Sequence, residues 1–264
     1  MGIYVVTGGA KGIGFETVRI LRDHGHEVVN VDRERGDINA DLGTKEGRAK
    51  ALAQLHGSFP DGLDGLVCNH GITGLPRHKA SYVVSVNYFG AVEIMEGLFD
   101  LLKKKEGNCV ATVSGAIAHV ERGKYFFDQL LTNCGDEERI GRLVDTFPLH
   151  DVFKDHSQVY LCTKYALANW VRRLAPSWAV QGVNLNAVAP GGSATTIMED
   201  FKAPNAEKYY FPMPVTFPKK RPLLPYEVAQ ALAFLVLPGA AGCSGAVLFC
   251  DGGHKAIVDP DKPY

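Results

Sequence analysis

No charge of one sign dominates this chain: 28 Lys and Arg stand against 29 Asp and Glu, a formal net charge of -1. Without a basic excess, nucleic-acid binding is not expected, because phosphate recognition needs a cationic face. The runs Lys103-Lys104-Lys105 and Lys219-Lys220-Arg221 are short and read as solvated charges. Long apolar runs are missing too. The most apolar late stretch, Val228 to Ala241, is interrupted by Gln230 and Pro238 and is too short to span a bilayer, so no membrane association is expected. The first residues pass straight into Ile3-Tyr4-Val5-Val6 without a secretory pattern, and Val6 breaks the myristoylation pattern after Gly2, so a cytoplasmic protein is expected. Six cysteines show no C-x2-C spacing, and nine histidines show no H-E-x-x-H. Reduced, mostly buried thiols and no metal follow.

What the chain does have is alternation. Apolar runs at Ile3–Thr7, Glu27–Asp32, Leu63–Asn69, Cys109–Ser114, Val183–Ala189 and Ala246–Cys250 are separated by helical periodicity near 12–24, 44–56, 79–104, 158–180 and 225–237. The runs are continuously apolar, as in strands covered on both faces. Gly25 is a natural residue after a helix, and Pro225 a natural start. The pattern predicts an α/β fold, a Rossmann-type doubly wound parallel sheet with helices on both faces, in a single domain over 1–264. Two segments exceed that minimum. In 115–157, Ile140, Leu143, Val144 and Phe147 predict an amphipathic helix capped by Asp136, making this a helical insertion. The segment 193–222 is rich in proline and aromatics and long for a loop, which favours a substrate-binding segment. Pro176 is expected to kink or end the helix 158–180.

Thr7-Gly8-Gly9-Ala10-Lys11-Gly12-Ile13-Gly14 follows the first strand and opens the first helix. Glycines there let a pyrophosphate approach free N–H groups at the helix start, so Gly8, Lys11, Gly12, Ile13 and Gly14 are cofactor-binding candidates. Asp32 ends the second strand, where a carboxylate binds ribose hydroxyls and repels the extra phosphate of NADP, pointing to NAD. Lys11 and Arg33 cut the other way, since either could attract that phosphate. Tyr160 and Lys164 share a helix face at i, i+4 spacing. An ammonium near a phenol lowers its pKa and fits it for acid/base work.

In this order Thr7–Gly14, Asn69-His70-Gly71, Asn87, Ser114, Tyr160-x-x-x-Lys164, Pro190-Gly191 and Asp251-Gly252-Gly253 cover almost the whole chain. The set resembles the short-chain dehydrogenase/reductase family. Ala40-Asp41-Leu42, Asp64-Gly65-Leu66-Val67, Val83 through Gly90 and the insertion before Tyr160 resemble its bacterial hydroxysteroid dehydrogenase/carbonyl reductase branch. The resemblance implies an NAD-dependent alcohol dehydrogenase or ketone reductase. It makes Tyr160 the acid/base, and has Lys164 hold the nicotinamide ribose and tune it. Ser114 would bind the substrate oxygen, and Asn87 would anchor a proton-relaying water. Asp41 and Leu42 would flank the adenine, Asn69 would support the central strand, and His70 and Gly71 would lie beside the cofactor. Pro190, Gly191, Ser193 and Thr195 would meet the nicotinamide carboxamide and pyrophosphate. His70 departs from the family's usual alanine and reads as a packing histidine with titration as the alternative. Ser114 also stands further from Tyr160 than usual, because of the insertion.

The resemblance implies a steroid or bile acid as substrate; Ile197, Met198, Phe201, Tyr209, Tyr210, Phe211, Met213 and Phe217 suit a rigid hydrophobic ligand such as a steroid or an aromatic ketone, and equally the ordinary packing of a long loop or a subunit contact. Lys219, Lys220 or Arg221 is a candidate for a substrate carboxylate. Relatives without the insertion are usually tetramers built through helices 79–104 and 158–180; by resemblance the insertion blocks that face and leaves a homodimer. A non-catalytic NAD sensor and a Rossmann-type methyltransferase are the rival readings, and neither accounts for Tyr160 and Lys164 both being present.

Overall fold

The computed structural model describes residues 1–74, 78–120, 126–146, 157–194 and 221–261. Seven strands form one sheet: β1 (Ile3–Thr7), β2 (Glu27–Asp32), β3 (Ile38–Asn39), β4 (Gly65–Cys68), β5 (Asn108–Thr112), β6 (Asn184–Pro190) and β7 (Val247–Cys250). Their order is β3-β2-β1-β4-β5-β6-β7, and every pairing is parallel. The direction of winding reverses between β1 and β4, the switch point where ligands of open α/β sheets bind at the strand C-termini.

Both faces are covered, which is why the strands read as continuous apolar runs. Val5, Leu66 and Cys109 point into one core, and Tyr4, Val6, Val67 and Val110 into the other. On the second face lie α1 (Gly12–Asp23) and α9 (Pro225–Val236), which pack on each other. The first face carries α2 (Lys45–Ser58), α3 (Ala80–Val84), α4 (Gly90–Gly97), α5 (Phe99–Lys104) and α8 (Ser157–Ala179). Local chemistry sets the ends. Thr44 Oγ1 accepts the Gly47 N–H at 3.0 Å to cap α2, and Glu227 reaches back to the Leu224 N–H at 2.8 Å beside Pro225 at the start of α9.

Two expected helices differ in detail. The periodic stretch 79–104 is three helices, interrupted by a π turn at Ser85–Phe89 and by Leu98, whose ψ of 1° leaves the helical region. The helix through Pro176 runs on to Ala179. Pro176 is exposed and lies in the last turn, where its missing N–H costs little because water can serve the Arg172 carbonyl.

Among its described residues the insertion holds two α-helices. α7 (Glu137–Thr146) is the expected one: Ile140 and Val144 are buried, and Asp136 Oδ1 accepts the Arg139 N–H at 2.9 Å. Phe147 lies outside the described residues. The second, α6 (Phe126–Asn133), packs on α8, and the Tyr88 hydroxyl of the π turn donates to the Leu131 carbonyl at 2.9 Å. Among the described residues no helix is long and apolar enough to cross a membrane.

Candidate active site at the strand C-termini

The glycine loop leaves β1 and enters α1 with Gly8 at φ +70° and Gly12 at φ +59°, conformations that glycine adopts without strain. A Cβ on Gly14 would stand 2.1 Å from the Gly8 carbonyl oxygen, so the loop closes on itself only with glycine there. The neighbouring strand braces it: the Gly9 N–H donates to Asn30 Oδ1 at 2.9 Å and the Ala10 N–H to Asp32 Oδ2 at 3.0 Å. Asp32 Oδ1 accepts the Arg33 N–H at 2.7 Å, so its carboxylate is fixed at the loop's edge. Lys11 is exposed at the N-cap of α1 beside the partly buried Ile13, and Arg33 pairs with Glu34 at 2.9 Å. This cradle, shaped by positions where a Cβ would collide, fits a dinucleotide.

Further along the same edge, Leu42 is buried and Asp41 accepts the Tyr82 hydroxyl at 2.9 and 3.0 Å and the Gly43 N–H at 2.9 Å. Burial first, then the Asp41 carboxylate, pushes the Tyr82 phenol up, keeping it a donor.

At the ends of β4 and β5 the remaining candidates converge. Lys164 is 4% exposed, and its Nζ donates to the Thr112 carbonyl at 3.0 Å. Thr112 Oγ1 donates to Asn69 Oδ1 at 3.0 Å, and Asn69 Nδ2 reaches the Gly8 carbonyl at 3.4 Å. A line of hydrogen bonds therefore joins the buried ammonium to the glycine loop. A Cβ on Gly71 would stand 3.2 Å from Lys164 Nζ and 3.3 Å from Asn87 Oδ1, so Gly71 keeps this junction open. Asn87 sits in the π turn with its amide closed on Ile72, accepting its N–H and donating to its carbonyl, each at 2.9 Å. One Oδ1 lone pair and one Nδ2 hydrogen remain for water.

Ser114 ends the β5 segment with its Oγ accepting the Ala116 N–H at 3.2 Å, at the cap of a 3-10 turn, Gly115–His119. Its hydroxyl also interacts electrostatically with the Tyr160 phenol. Burial raises the Tyr160 pKa and the Ser114 contact draws it partly back. Lys164 is not among the groups that shift this phenol. Its ammonium is directed at Thr112, and burial carries its own pKa down to about 8.

His70 is the packing residue of the two readings. Thr7 Oγ1 accepts the Asn69 N–H at 3.1 Å and shares a hydrogen bond with His70 Nδ1 at 2.7 Å. His70 Nε2 is buried near Val86 of the π turn without normal hydrogen-bond geometry. Burial, then the Lys164 ammonium, pushes its pKa down to about 3, so it stays neutral.

Pro190 closes β6; the Gly191 N–H donates to the Cys250 carbonyl at 2.9 Å, and a Cβ on Gly191 would meet Asp251 Cα at 2.7 Å. Ser193 is buried, with Oγ donating to the Gly191 carbonyl at 3.1 Å. Thr195, Lys219, Lys220 and most of 193–222 lie outside the described residues. Arg221 is held by both oxygens of Glu227 at 2.9 Å, which commits it to α9. Asn30, Thr112 and Tyr82 join the site unforeseen. So does a histidine pair, His119 and His254, whose Nε2 atoms stand 2.7 Å apart just past Ser114.

A glycine cradle at the switch point, with a serine, a tyrosine and a buried lysine at the neighbouring strand ends, defines a dinucleotide-binding oxidoreductase of the α/β class. Family comparison agrees. Residues 3–123 match the family described as short chain dehydrogenase, and 141–255 the one described as Enoyl-(Acyl carrier protein) reductase. The chain is 34% identical to the 3-alpha-hydroxysteroid dehydrogenase/carbonyl reductase of Comamonas testosteroni, over 99% of this chain and 100% of that one. It is 31% identical to a coniferyl-alcohol dehydrogenase from a Pseudomonas strain, over 94% of each. The crystal structure of the 3-alpha-hydroxysteroid dehydrogenase of Pseudomonas sp. B-0831, complexed with NADH, superposes with a TM-score of 0.89 at 34% identity, over 98% of this chain and 99% of that one. The protein belongs to the short-chain dehydrogenase/reductase family.

Proposed function

We propose that this protein is an NAD(H)-dependent oxidoreductase interconverting a secondary alcohol and a ketone, a hydroxysteroid dehydrogenase/carbonyl reductase in its substrate class. The observation that carries the reading is the Tyr160–Ser114 contact set beside a lysine wired to the glycine loop. A bound nicotinamide supplies the acceptor or donor of the hydride at the carbinol carbon. The chain's residues handle the oxygen. Tyr160 Oη takes the alcohol proton in oxidation and returns one in reduction. Ser114 Oγ donates a hydrogen bond to the same oxygen, and is most effective where charge grows on it. Lys164 carries the positive charge of the site, and Asn87 offers its spare amide groups to a water that relays protons from Lys164. Gly8, Lys11, Gly12, Ile13 and Gly14 would hold the pyrophosphate, Asp32 and Arg33 the adenosine ribose, Asp41 and Leu42 the adenine. Asn69, His70, Gly71, Pro190, Gly191, Ser193 and Thr195 would line the nicotinamide half.

The preference for NAD rests on Asp32, whose carboxylate is fixed at the edge of the glycine loop and would repel the extra phosphate of NADP. Like charges at such a distance disfavour NADP by about ten-fold or more. Hydroxysteroids, bile acids and small aromatic alcohols assayed with NAD and NADP in parallel test both halves of the reading. Turnover with at least one secondary alcohol and a preference for NAD are expected, and Asp32→Ser should narrow that preference. An NADP preference in the unaltered protein would refute the assignment of Asp32.

We read the chain as a single domain with a helical insertion at 115–157 and a substrate-binding loop at 193–222, working in the cytoplasm as a homodimer. All six cysteines are free, in keeping with a reducing compartment. The insertion packs on α3 and α8, the flank that the family resemblance gives to assembly in relatives without it. The opposite flank stays apolar: Phe234 on α9 is 52% exposed and Leu248 on the edge strand β7 is 39% exposed. An uncovered apolar edge invites pairing. Light scattering should give twice the chain mass, and Phe234→Glu should move it toward the monomer. A monomeric unaltered protein would rule the dimer out.

A further inference from the structure

Arg48 projects from α2 into the interior, 1% exposed, between Glu93 of α4 and Glu137 at the start of α7. All five of its N–H donors are used. Nε donates to Glu93 Oε2 at 2.5 Å and Nη2 to Glu93 Oε1 at 3.3 Å. Nη2 also donates to Glu137 Oε2 at 2.5 Å, and Nη1 to Glu137 Oε1 at 3.4 Å and to the Leu42 carbonyl at 3.3 Å. A guanidinium is a rigid planar fork, so fixing two carboxylates and a carbonyl on it fixes them relative to one another.

Two further ties join the same surfaces. Lys45 Nζ donates to Glu138 Oε1 at 2.8 Å, and Ser81 donates its N–H and its hydroxyl to the two oxygens of Asp145, at 2.9 and 2.7 Å. Ser81 adjoins Tyr82, which holds the Asp41 carboxylate. Both ends of α7 are thus fastened to the segments that carry and support Asp41 and Leu42, just beyond the C-terminal end of β3. Polar ties do this work at the seam's edge, where a cleft of about 420 Å³ runs along Gly43, Ser85 and Arg142.

We propose that α7 of the insertion is a clamp for the adenosine end of the dinucleotide site, with Glu137 a positioning residue acting through Arg48 on Leu42. The inference rests on the reading of Asp41 and Leu42 as the adenine wall. It makes the insertion part of nucleotide recognition, in addition to any steric part in assembly or substrate binding.

Glu137→Gln keeps the shape and leaves Arg48 paired with Glu93. In the full-length protein the dissociation constant for NADH, read by its fluorescence, should rise about five- to ten-fold. The nucleotide KM should rise with it, while kcat at saturating nucleotide and the KM for the ketone stay unchanged. Glu137→Asp should recover part of the loss. Asp145→Asn tests the far end of α7 with the same readout and replaces Glu137→Gln if that variant does not fold. A lowered melting temperature with unchanged NADH affinity in these variants would overturn the clamp and leave the glutamate a structural anchor. Failure of the unaltered protein to bind NADH would instead overturn the nucleotide reading beneath it.

Discussion

Tyr160→Phe should lower kcat and kcat/KM together by about 10²- to 10⁴-fold, with NADH affinity unchanged. The ring volume is kept and only the oxygen that moves the proton is removed, so the loss belongs to the transition state. The pH profile gives a second signature. Burial raises the Tyr160 pKa above its ordinary 10.0, and Ser114 only partly offsets this. The phenol is therefore protonated through the neutral range, the form that reduction needs. Alcohol oxidation needs the phenolate and should quicken as pH rises, while ketone reduction should slow on the same side. Steady-state rates in both directions across alkaline pH would show these opposed limbs in the unaltered protein and their loss in the variant. Undiminished ketone reduction by Tyr160→Phe would end the proposed chemistry.

Much of this arrangement was legible in the residues, for reasons that differ by element. β1 and β2 were read to the residue because a glycine loop and an acidic strand end bracket them. The helices at 12–24 and 225–237 announced themselves through Gly25 and Pro225. β3 was missed because Ile38–Asn39 is too short to carry periodicity. The π turn was invisible: it preserves the apolar pattern of 79–104 and shows itself only in where Asn87 reaches. The glycine loop and the Tyr160–Lys164 pair could be found because their spacing is local. Asn30 and Thr112 could not, since each is an ordinary polar residue in an apolar run whose partner, Gly9 or Asn69, lies in a loop beyond another strand. Arg48 shows the same limit, because on a helix an arginine reads as solvated until two distant carboxylates are seen to enclose it. The direction in which Lys164 points is not legible from its spacing. An i, i+4 spacing gives a shared face, not a contact, and the buried carbonyl of Thr112 outcompetes the phenol for its ammonium.

That geometry sets the other large effect. Lys164→Met should abolish most turnover, by about 10²-fold or more, and yet stabilise the protein near neutral pH. Holding the ammonium in the core has a cost, visible as a pKa lowered by burial from 10.5 to about 8. At one pH unit per 1.36 kcal/mol the shift corresponds to about 3 kcal/mol of lost stability. The sign follows from proton counting. Between about 8 and 10.5 the unfolded chain holds a proton that the folded chain has released, so folding becomes more favourable as pH rises through that window. Below about 8 the cost is present in full. Methionine fills the space without charge but leaves the Thr112 carbonyl without its donor, which costs about 1 kcal/mol. A net gain of about 1–2 kcal/mol at pH 7 remains, to be read by urea unfolding. The gain should shrink as pH is raised toward 10.5, because the unaltered lysine then folds in as the neutral amine. A variant less stable than its parent at pH 7, or a difference constant with pH, would mean that the ammonium is not the stored cost. The same burial that weakens the fold there fixes a positive charge beside the glycine loop, where the proposed chemistry requires it.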